Sequence, residues 1–177
     1  SCNLGEILTV FLAMIFWRES PLLPMQLLWI NLVTDSLPAL ALGVEPVEDD
    51  VMSRKPRSRK ESLFAGGVGA QAIWQGLMIG MLSLIAYFVG SRVMGDGDPN
   101  LALGETMAFA TLAFSQIIHA FNIRSTHSLF EVGFFTNRRM CGAFAVSLAA
   151  MLVVLLIPPL RTVFSLSAMN SAAWLTV

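Results

Sequence analysis

The sequence contains few charged residues. Only 13% of its 177 residues are charged and 55% are hydrophobic, whereas a soluble domain carries about 25% charged residues. The mean hydropathy is +0.69. The net charge of −1 leaves no electrostatic basis for binding nucleic acid. This composition is typical of a protein that lies in a lipid bilayer.

Cysteine is also scarce, and a basic stretch is missing before the first apolar run. Cys2 and Cys141 lie in separate apolar segments, so they form neither a metal-binding spacing nor a disulfide framework. We interpret both as small apolar fillers. Glu6 stands near the start of the first apolar run, a pattern that argues against a secretory signal peptide.

Four apolar segments are long enough to cross a bilayer, which takes about 20 residues in a helix. They cover residues 22–44, 63–91, 101–122 and 140–157. Shorter apolar segments cover residues 1–17 and 168–177. The sequence therefore predicts an all-α, polytopic bundle of transmembrane helices with four complete spans and two partial ones. Because a natural protein rarely starts and ends inside membrane helices, we expect the chain to be a fragment.

The basic residues predict the orientation of the bundle. Of the eleven Lys and Arg residues, five lie in the loop at residues 45–62 and three in residues 123–139. Cytoplasmic loops of membrane proteins carry such an excess of Lys and Arg. We therefore predict that both loops are cytoplasmic and that the loop around residues 96–99 faces outward.

Two carboxylates lie deep in apolar segments, Glu6 and Asp35. A charge in the bilayer costs at least a few kcal/mol, so such residues usually face a polar interior and serve a function. Asn3 shares a helical face with Glu6, and Asn31 and Thr34 share one with Asp35. Opposed, the two faces would offer carboxylate, amide and hydroxyl oxygens, which suit calcium best. The alternative is a hydrogen-bonded contact between helices.

Pro38 follows Asp35 closely in the same span. Its ring clashes with the carbonyl of Thr34, and it lacks a backbone N–H. We therefore expect the helix to loosen beside Asp35, as helices do where they line a membrane-embedded site. A simple proline kink is the alternative.

Two further pairs of residues lie at helical spacing. Gln116 could add a neutral oxygen to the same cation site, and we expect His119, three residues later, to make an interhelical hydrogen bond. Gly76 and Gly80 form a G-x-x-x-G pattern, which we interpret as close helix packing.

The loop at residues 45–62 begins acidic and becomes basic, and it contains Pro46 and Pro56. Separated charge blocks and prolines favour a stiff docking strap for a cytoplasmic domain. A solvated loop without a partner is the alternative.

Residues 26–39, QLLWINLVTDSLPA, resemble the sixth membrane helix of calcium-transporting P-type ATPases of the sarcoplasmic-reticulum-like group. Residues 1–6, SCNLGE, resemble the ion-binding part of the fifth helix, and residues 52–58 resemble the loop between helices six and seven. Beyond residue 61 the likeness rests on the order of spans and on the start of a helix-eight-like segment at residue 106. The resemblance implies that Asp35 bridges two calcium sites and that the calcium ligands are Asn3, Glu6, Asn31, Thr34 and Asp35.

The chain departs from the family pattern at one position in the eighth helix. Two-site pumps of the family carry a carboxylate where this chain has Gln116. This departure predicts one calcium site rather than two. Sodium–potassium pumps carry a carboxylate at the position of Asn31 and a proline at that of Gly5, which favours calcium over sodium here; a pump for sodium or manganese remains the alternative.

The resemblance also predicts what lies outside the chain. The sequence contains no Asp-Lys-Thr-Gly phosphorylation motif and no Walker A motif, so this fragment is not expected to hydrolyse ATP. The parent would be a multi-pass translocase of the cell membrane that uses ATP and magnesium. Its phosphorylation domain would dock on the loop at residues 45–62. A channel or secondary transporter would instead show inverted repeats, and a membrane scaffold would use Glu6 and Asp35 only to pair helices.

Overall fold

The computed structural model of the chain describes residues 1–44, 64, 66–95, 100–123 and 137–177. All regular elements in these residues are helices. Four of them are long and apolar enough to cross a membrane: Pro24–Gly43, Val68–Val93, Leu101–Asn122 and Arg138–Leu156. The predicted all-α polytopic fold is confirmed.

The described elements are α-helices and two π-helices. One π-helix lies between two α-helices of the same span, and the other forms the end of a span. The π-helices are Ile30–Asp35 and Val89–Val93. The α-helices are α1 Cys2–Phe16, α2 Pro24–Trp29, α3 Ser36–Gly43, α4 Val68–Phe88, α5 Leu101–Asn122, α6 Arg138–Leu156, α7 Pro158–Val163 and α8 Ser171–Thr176.

Capping residues determine where the helices begin. Gly66 and Gly67 have φ values of 67° and 88°, which glycine adopts without strain. α4 therefore starts at Val68, later than the expected residue 63. Asn137 accepts hydrogen bonds from the backbone N–H groups of the first turn of α6, so this helix starts two residues before the expected residue 140. The short α7 lies in residues 158–167, for which the sequence predicted no element.

Glycines bring α1 and α4 into close contact. A Cβ atom on Gly76 would lie 2.9 Å from the carbonyl oxygen of Ser1, and one on Gly80 would lie 3.1 Å from that of Gly5. Backbones can approach this closely only where side chains are missing. The expected close packing at the G-x-x-x-G pattern is confirmed.

α5 is the central helix of the bundle. Within its most apolar window, 67% of the residues are buried, compared with 28% for α6 and for the span at Pro24–Gly43. It packs against α4 on one side and α6 on the other. Its buried side chains Phe109, Leu112 and Ile117 form the middle of the main core. Because α5 is surrounded by protein, its side chains Gln116 and His119 reach partners outside their own helix.

The ends of the spans alternate between two sides of the bundle. On one side, Ala41, Ala120 and Met140 pack together near the end of α3, the end of α5 and the start of α6. On the other, Trp17 contacts Tyr87 near the ends of α1 and α4. This alternation is what consecutive spans require. The predicted orientation rests on the loops at residues 45–62, 96–99 and 123–139, of which residues 45–62, 96–99 and 124–136 lie outside the described residues.

Candidate cation site

The Glu6 carboxylate lies at the junction of three helical segments. The side chain is only 7% exposed. Its Oε2 accepts a hydrogen bond from Asn31 Nδ2 at 2.9 Å, and its Oε1 accepts one from Gln116 Nε2 at 3.2 Å. Both donors are neutral amides, and among the described residues no Lys or Arg pairs with Glu6. The two amides therefore hydrogen-bond this buried carboxylate, but no cationic side chain among the described residues neutralises its charge.

The packing of α1 explains why Glu6 faces inward. Gly5, Glu6, Thr9 and Ala13 form the buried stripe of this helix, at the i, i+4 and i, i+3 spacing of one helical face. Gly5 lets α1 approach α4, where a Cβ atom would lie 3.0 Å from Ile79 Cγ2. The small residues that bring α1 against α4 therefore also direct Glu6 into the bundle.

The helix that carries Asn31 and Asp35 is widened into a π-helix at Ile30–Asp35. Side-chain hydroxyls bond to its carbonyl oxygens: Thr34 Oγ1 donates to Ile30 O at 2.6 Å, and Ser36 Oγ donates to Asn31 O at 2.9 Å. Pro38 follows the segment and supplies no N–H. The sequence predicted a loosened helix beside Asp35, and the structure confirms it.

Asp35 is a second carboxylate at this place. It is half-buried and lies one helical turn beyond Asn31, whose amide donates to Glu6. Two carboxylates that form no ion pair with a Lys or Arg among the described residues favour a divalent cation between them. The described residues contain no cluster of three His, Cys, Asp or Glu side chains that could hold a metal ion. A cation here would therefore also need amide, hydroxyl or backbone oxygens. Such an all-oxygen ligand set suits a hard cation.

Gln116 contributes an acceptor that has no partner. The residue is 1% exposed, and its Oε1 atom is buried without a hydrogen bond to any described group. Such an orphaned acceptor costs about 1–3 kcal/mol in a protein interior. Because the same amide donates to Glu6, the free oxygen lies beside the buried carboxylate. A cation bound beside Glu6 would satisfy this oxygen once the amide turns it toward the ion.

The other expected ligands are placed differently. Thr34 is 1% exposed, and its hydroxyl donates within its own helix. Asn3 is exposed on the surface of α1, so the described residues do not bring it into the Glu6 cluster. The structure thus brings Glu6, Asn31 and Gln116 into contact, with Asp35 close by and Asn3 apart.

His119 lies one turn beyond Gln116 and bonds to a different residue. Its Nε2 is 2.9 Å from Ser1 Oγ on the segment that leads into α1. The expected interhelical hydrogen bond of His119 is confirmed.

A hydroxyl from α6 also reaches the π-helix and was missed from the sequence. Ser147 Oγ donates to the Val33 carbonyl at 3.2 Å, and Ser147 is fully buried. Its position in the sequence could have identified it: Ser147 is the single hydroxyl residue in the apolar run at residues 140–157. A polar residue inside such a run usually has a partner on another helix.

A second polar cluster lies at the opposite end of α1. Glu19 accepts a hydrogen bond from Tyr87 Oη at 2.7 Å and pairs with Arg92 at 3.5 Å. The guanidinium balances the charge of this carboxylate. The cluster therefore joins the α1–α2 connection to the end of α4 and, unlike the Glu6 cluster, contains an ion pair.

Comparisons with known proteins match nearly the whole chain. A family model described as "Cation transporting ATPase, C-terminus" matches residues 19–177. The chain is 44% identical to Calcium-transporting ATPase 1 of Bacillus cereus, an alignment that covers 98% of the chain and 21% of that protein. It is 43% identical to Calcium-transporting ATPase of Bacillus subtilis, over 99% of the chain and 19% of that protein.

A more distant relative comes from a plant. The chain is 29% identical to Calcium-transporting ATPase 3, endoplasmic reticulum-type, of Arabidopsis thaliana, over 100% of the chain and 20% of that protein. The chain thus spans about a fifth of the length of the curated relatives it matches.

Proposed function

Since this chain belongs to the cation-transporting ATPase C-terminal family, we propose that it is the ion-binding membrane part of an ATP-driven calcium pump. The chain is part of an integral, multi-pass membrane protein, with four helices that can cross the bilayer. One observation carries the proposal. The buried Glu6 carboxylate is held by the amides of Asn31 and Gln116, and the Gln116 Oε1 atom beside it has no partner among the described residues.

The chemistry of the cluster fits calcium as the transported ion. Calcium takes about 6–8 oxygen ligands in flexible geometry. Glu6 and Asp35 would supply the charge, and Asn31, Thr34 and Gln116 would supply neutral oxygens. The Asn31 and Gln116 amides now donate N–H groups to Glu6, so each must turn its oxygen inward when the ion binds. Asn3, which is exposed, is the weakest member of the expected ligand set.

Gln116 supports a single calcium site. It is the residue of α5 that reaches Glu6, and it brings no charge. Glu6 and Asp35 together neutralise one divalent ion, and a second ion would find no further carboxylate in this cluster of described residues. We therefore propose a stoichiometry of one calcium ion per pump.

The remaining parts of the pump would lie outside this chain. ATP and magnesium would bind in cytoplasmic domains of the full-length protein, in the cell membrane. The phosphorylation domain would dock on the loop at residues 45–62, which lies outside the described residues. That loop follows α3 directly, so a movement of the docked domain would reach the π-helix through α3.

The test is phosphorylation of the full-length protein by ATP as calcium, sodium or manganese is varied. We expect calcium to stimulate phosphoenzyme formation and sodium to have no effect, with one calcium bound per phosphorylated molecule. A phosphoenzyme that requires sodium and ignores calcium would overturn the assignment of the ion. A protein that forms no phosphoenzyme with any cation would overturn the assignment as a pump.

The orientation has its own test. Single cysteines at Ser58 and Ser125 should react with an impermeant thiol reagent from the cytoplasmic side only, and one at Asp98 from outside only. Labelling of positions 58 and 98 from the same side would contradict the topology.

A further inference from the structure

The hydrogen bond from Ser147 to Val33 crosses between two helices, whereas several other hydroxyls of the spans bond within their own helix. A serine or threonine in a membrane helix commonly donates to the carbonyl four residues before it. Ser83 does so to Ile79 at 3.0 Å, and Thr106 does so to Ala102 at 2.7 Å. Ser147 instead donates to the Val33 carbonyl, on a helix 114 residues away in sequence.

Pro38 removes the donor that π-helical spacing would give the Val33 carbonyl, which at α-helical spacing would pair with Leu37 instead. At π-helical spacing the Val33 carbonyl faces the N–H of residue 38, and at α-helical spacing the Thr34 carbonyl does. Residue 38 is proline, so neither carbonyl finds an N–H there. A carbonyl left without a donor inside a membrane protein is costly, and a hydroxyl from a neighbouring helix can replace the missing N–H. Ser147 is placed to do this, fully buried on α6.

The position of Val33 links this bond to the cation site. Asn31, which donates to Glu6, lies two residues before it, and Asp35 lies two residues after it. A change in the pairing of the Val33 carbonyl would let the π-helix tighten toward an ordinary α-helix. Because π- and α-helices differ in the number of residues per turn, tightening this segment would rotate Asp35 relative to Asn31.

We propose that Ser147 is a positioning residue that holds the Ile30–Asp35 segment in its π-helical register and thereby sets the calcium affinity of the pump. It acts through the Val33 carbonyl and does not itself contact the ion. The inference rests on the proposed function for its effect on calcium. Its structural half, the support of the π-helix, is independent of that function.

The first experiment compares Ser147→Ala with Ser83→Ala in the full-length protein. Both serines are fully buried hydroxyls on spanning helices, but the Ser83 bond stays within α4. We expect Ser147→Ala to raise the half-saturating calcium concentration for phosphorylation about three- to tenfold, the effect of one buried hydrogen bond. The phosphoenzyme level at saturating calcium should not change, and Ser83→Ala should change neither quantity. A general loss of folding would instead lower the maximum.

The second experiment restores the missing backbone donor. Pro38→Ala supplies an N–H to this turn, so Ser147→Ala should matter less in that background, by less than about twofold in calcium affinity. Non-additivity of this kind is expected where two residues serve the same group. Equal effects of Ser147→Ala in the wild-type and Pro38→Ala backgrounds would overturn the proposal.

A third measurement does not depend on pumping. Amide hydrogen exchange in detergent micelles should be faster at residues 31–37 in Ser147→Ala than in the wild type, and unchanged there in Ser83→Ala. If the wild type forms no calcium-dependent phosphoenzyme, the proposed function fails, and the exchange rates alone decide whether Ser147 supports the π-helix. Unchanged exchange together with unchanged calcium affinity would show that the Ser147 bond has no positioning role.

Discussion

The two π-helices of this chain differ in what surrounds them. Ile30–Asp35 is bordered by Pro38, carries Asn31 and Asp35, and faces the buried carboxylate of Glu6. Val89–Val93 lies where two glycines meet, since a Cβ atom on Gly90 would be 2.9 Å from the Cα of Gly104. The same backbone geometry thus serves a polar cluster in one place and close packing in the other.

The charges near the two segments differ in the same way. Arg92 in the second π-helix pairs with Glu19, so its charge is balanced. Glu6 beside the first π-helix receives only neutral amide donors among the described residues. π-helical turns often occur at functional sites, but the geometry alone does not identify one. In this molecule the candidate site is the segment whose neighbouring charges lack a counter-charge.

The largest effect is expected from removing the charge of the first π-helix. Asp35→Asn keeps the shape of the side chain but removes a charge that offsets a divalent ion, which costs several kcal/mol in a partly dry site. Calcium-dependent phosphorylation should be lost at any practical calcium concentration. Arg92→Gln, which removes a charge from the second π-helix, should leave the calcium dependence unchanged. Equal losses of calcium-dependent phosphorylation in the two variants would show that both π-helices contribute to calcium binding.

The second prediction concerns packing at the other π-helix. Gly90→Ala places a methyl group 2.9 Å from Gly104 Cα and 2.8 Å from Met107 Sδ. Overpacking of this kind costs about 1–3 kcal/mol, so the thermal midpoint of the protein in detergent should fall while the half-saturating calcium concentration stays the same. Gly43→Ala is the control, because no atom of the described residues, apart from its own helix and chain neighbours, lies within 4 Å of its added Cβ. A shift in calcium affinity without a loss of stability would mean that the second segment also serves the ion.

A smaller effect is expected from Gln116. Gln116→Ala removes one neutral oxygen and the donor to Glu6, worth roughly 1–2 kcal/mol, so the half-saturating calcium concentration should rise about tenfold at most. Gln116→Glu adds a carboxylate beside Glu6 and should raise the affinity or allow a second ion to bind. The measurement is the amount of calcium bound per phosphorylatable molecule. Two ions per wild-type molecule, with Gln116→Ala as damaging as Asp35→Asn, would contradict a single site.

The smallest effect is expected at the balanced cluster. Tyr87→Phe removes the hydroxyl that donates to Glu19 at 2.7 Å and leaves the ring contact with Trp17 in place. The loss of one hydrogen bond to a charged group costs about 1.5 kcal/mol or less where Arg92 still pairs with Glu19. A slightly lower thermal midpoint with unchanged calcium affinity is the expected result. A tenfold change in calcium affinity would instead connect this cluster to the ion.

The sequence by itself determined the spans, the rare carboxylates and the position of the helix distortion. Spans can be predicted because bilayer thickness sets the length of an apolar helix. Glu6 and Asp35 stand out because charges at this depth are costly. The distortion beside Asp35 follows from Pro38, since a proline removes a backbone donor whatever its surroundings. Each of these properties is local or compositional.

Only the tertiary structure decided which polar groups meet. Helical spacing places Asn3 on the same face as Glu6, but the packing of α1 leaves Asn3 exposed and Glu6 buried. The bond from Gln116 to Glu6 spans 110 residues, and that from Ser147 to Val33 spans 114. Such contacts depend on how each helix is rotated about its axis. The rotation of α1 is fixed by its glycine contact with α4, and periodicity within one helix carries no information about it.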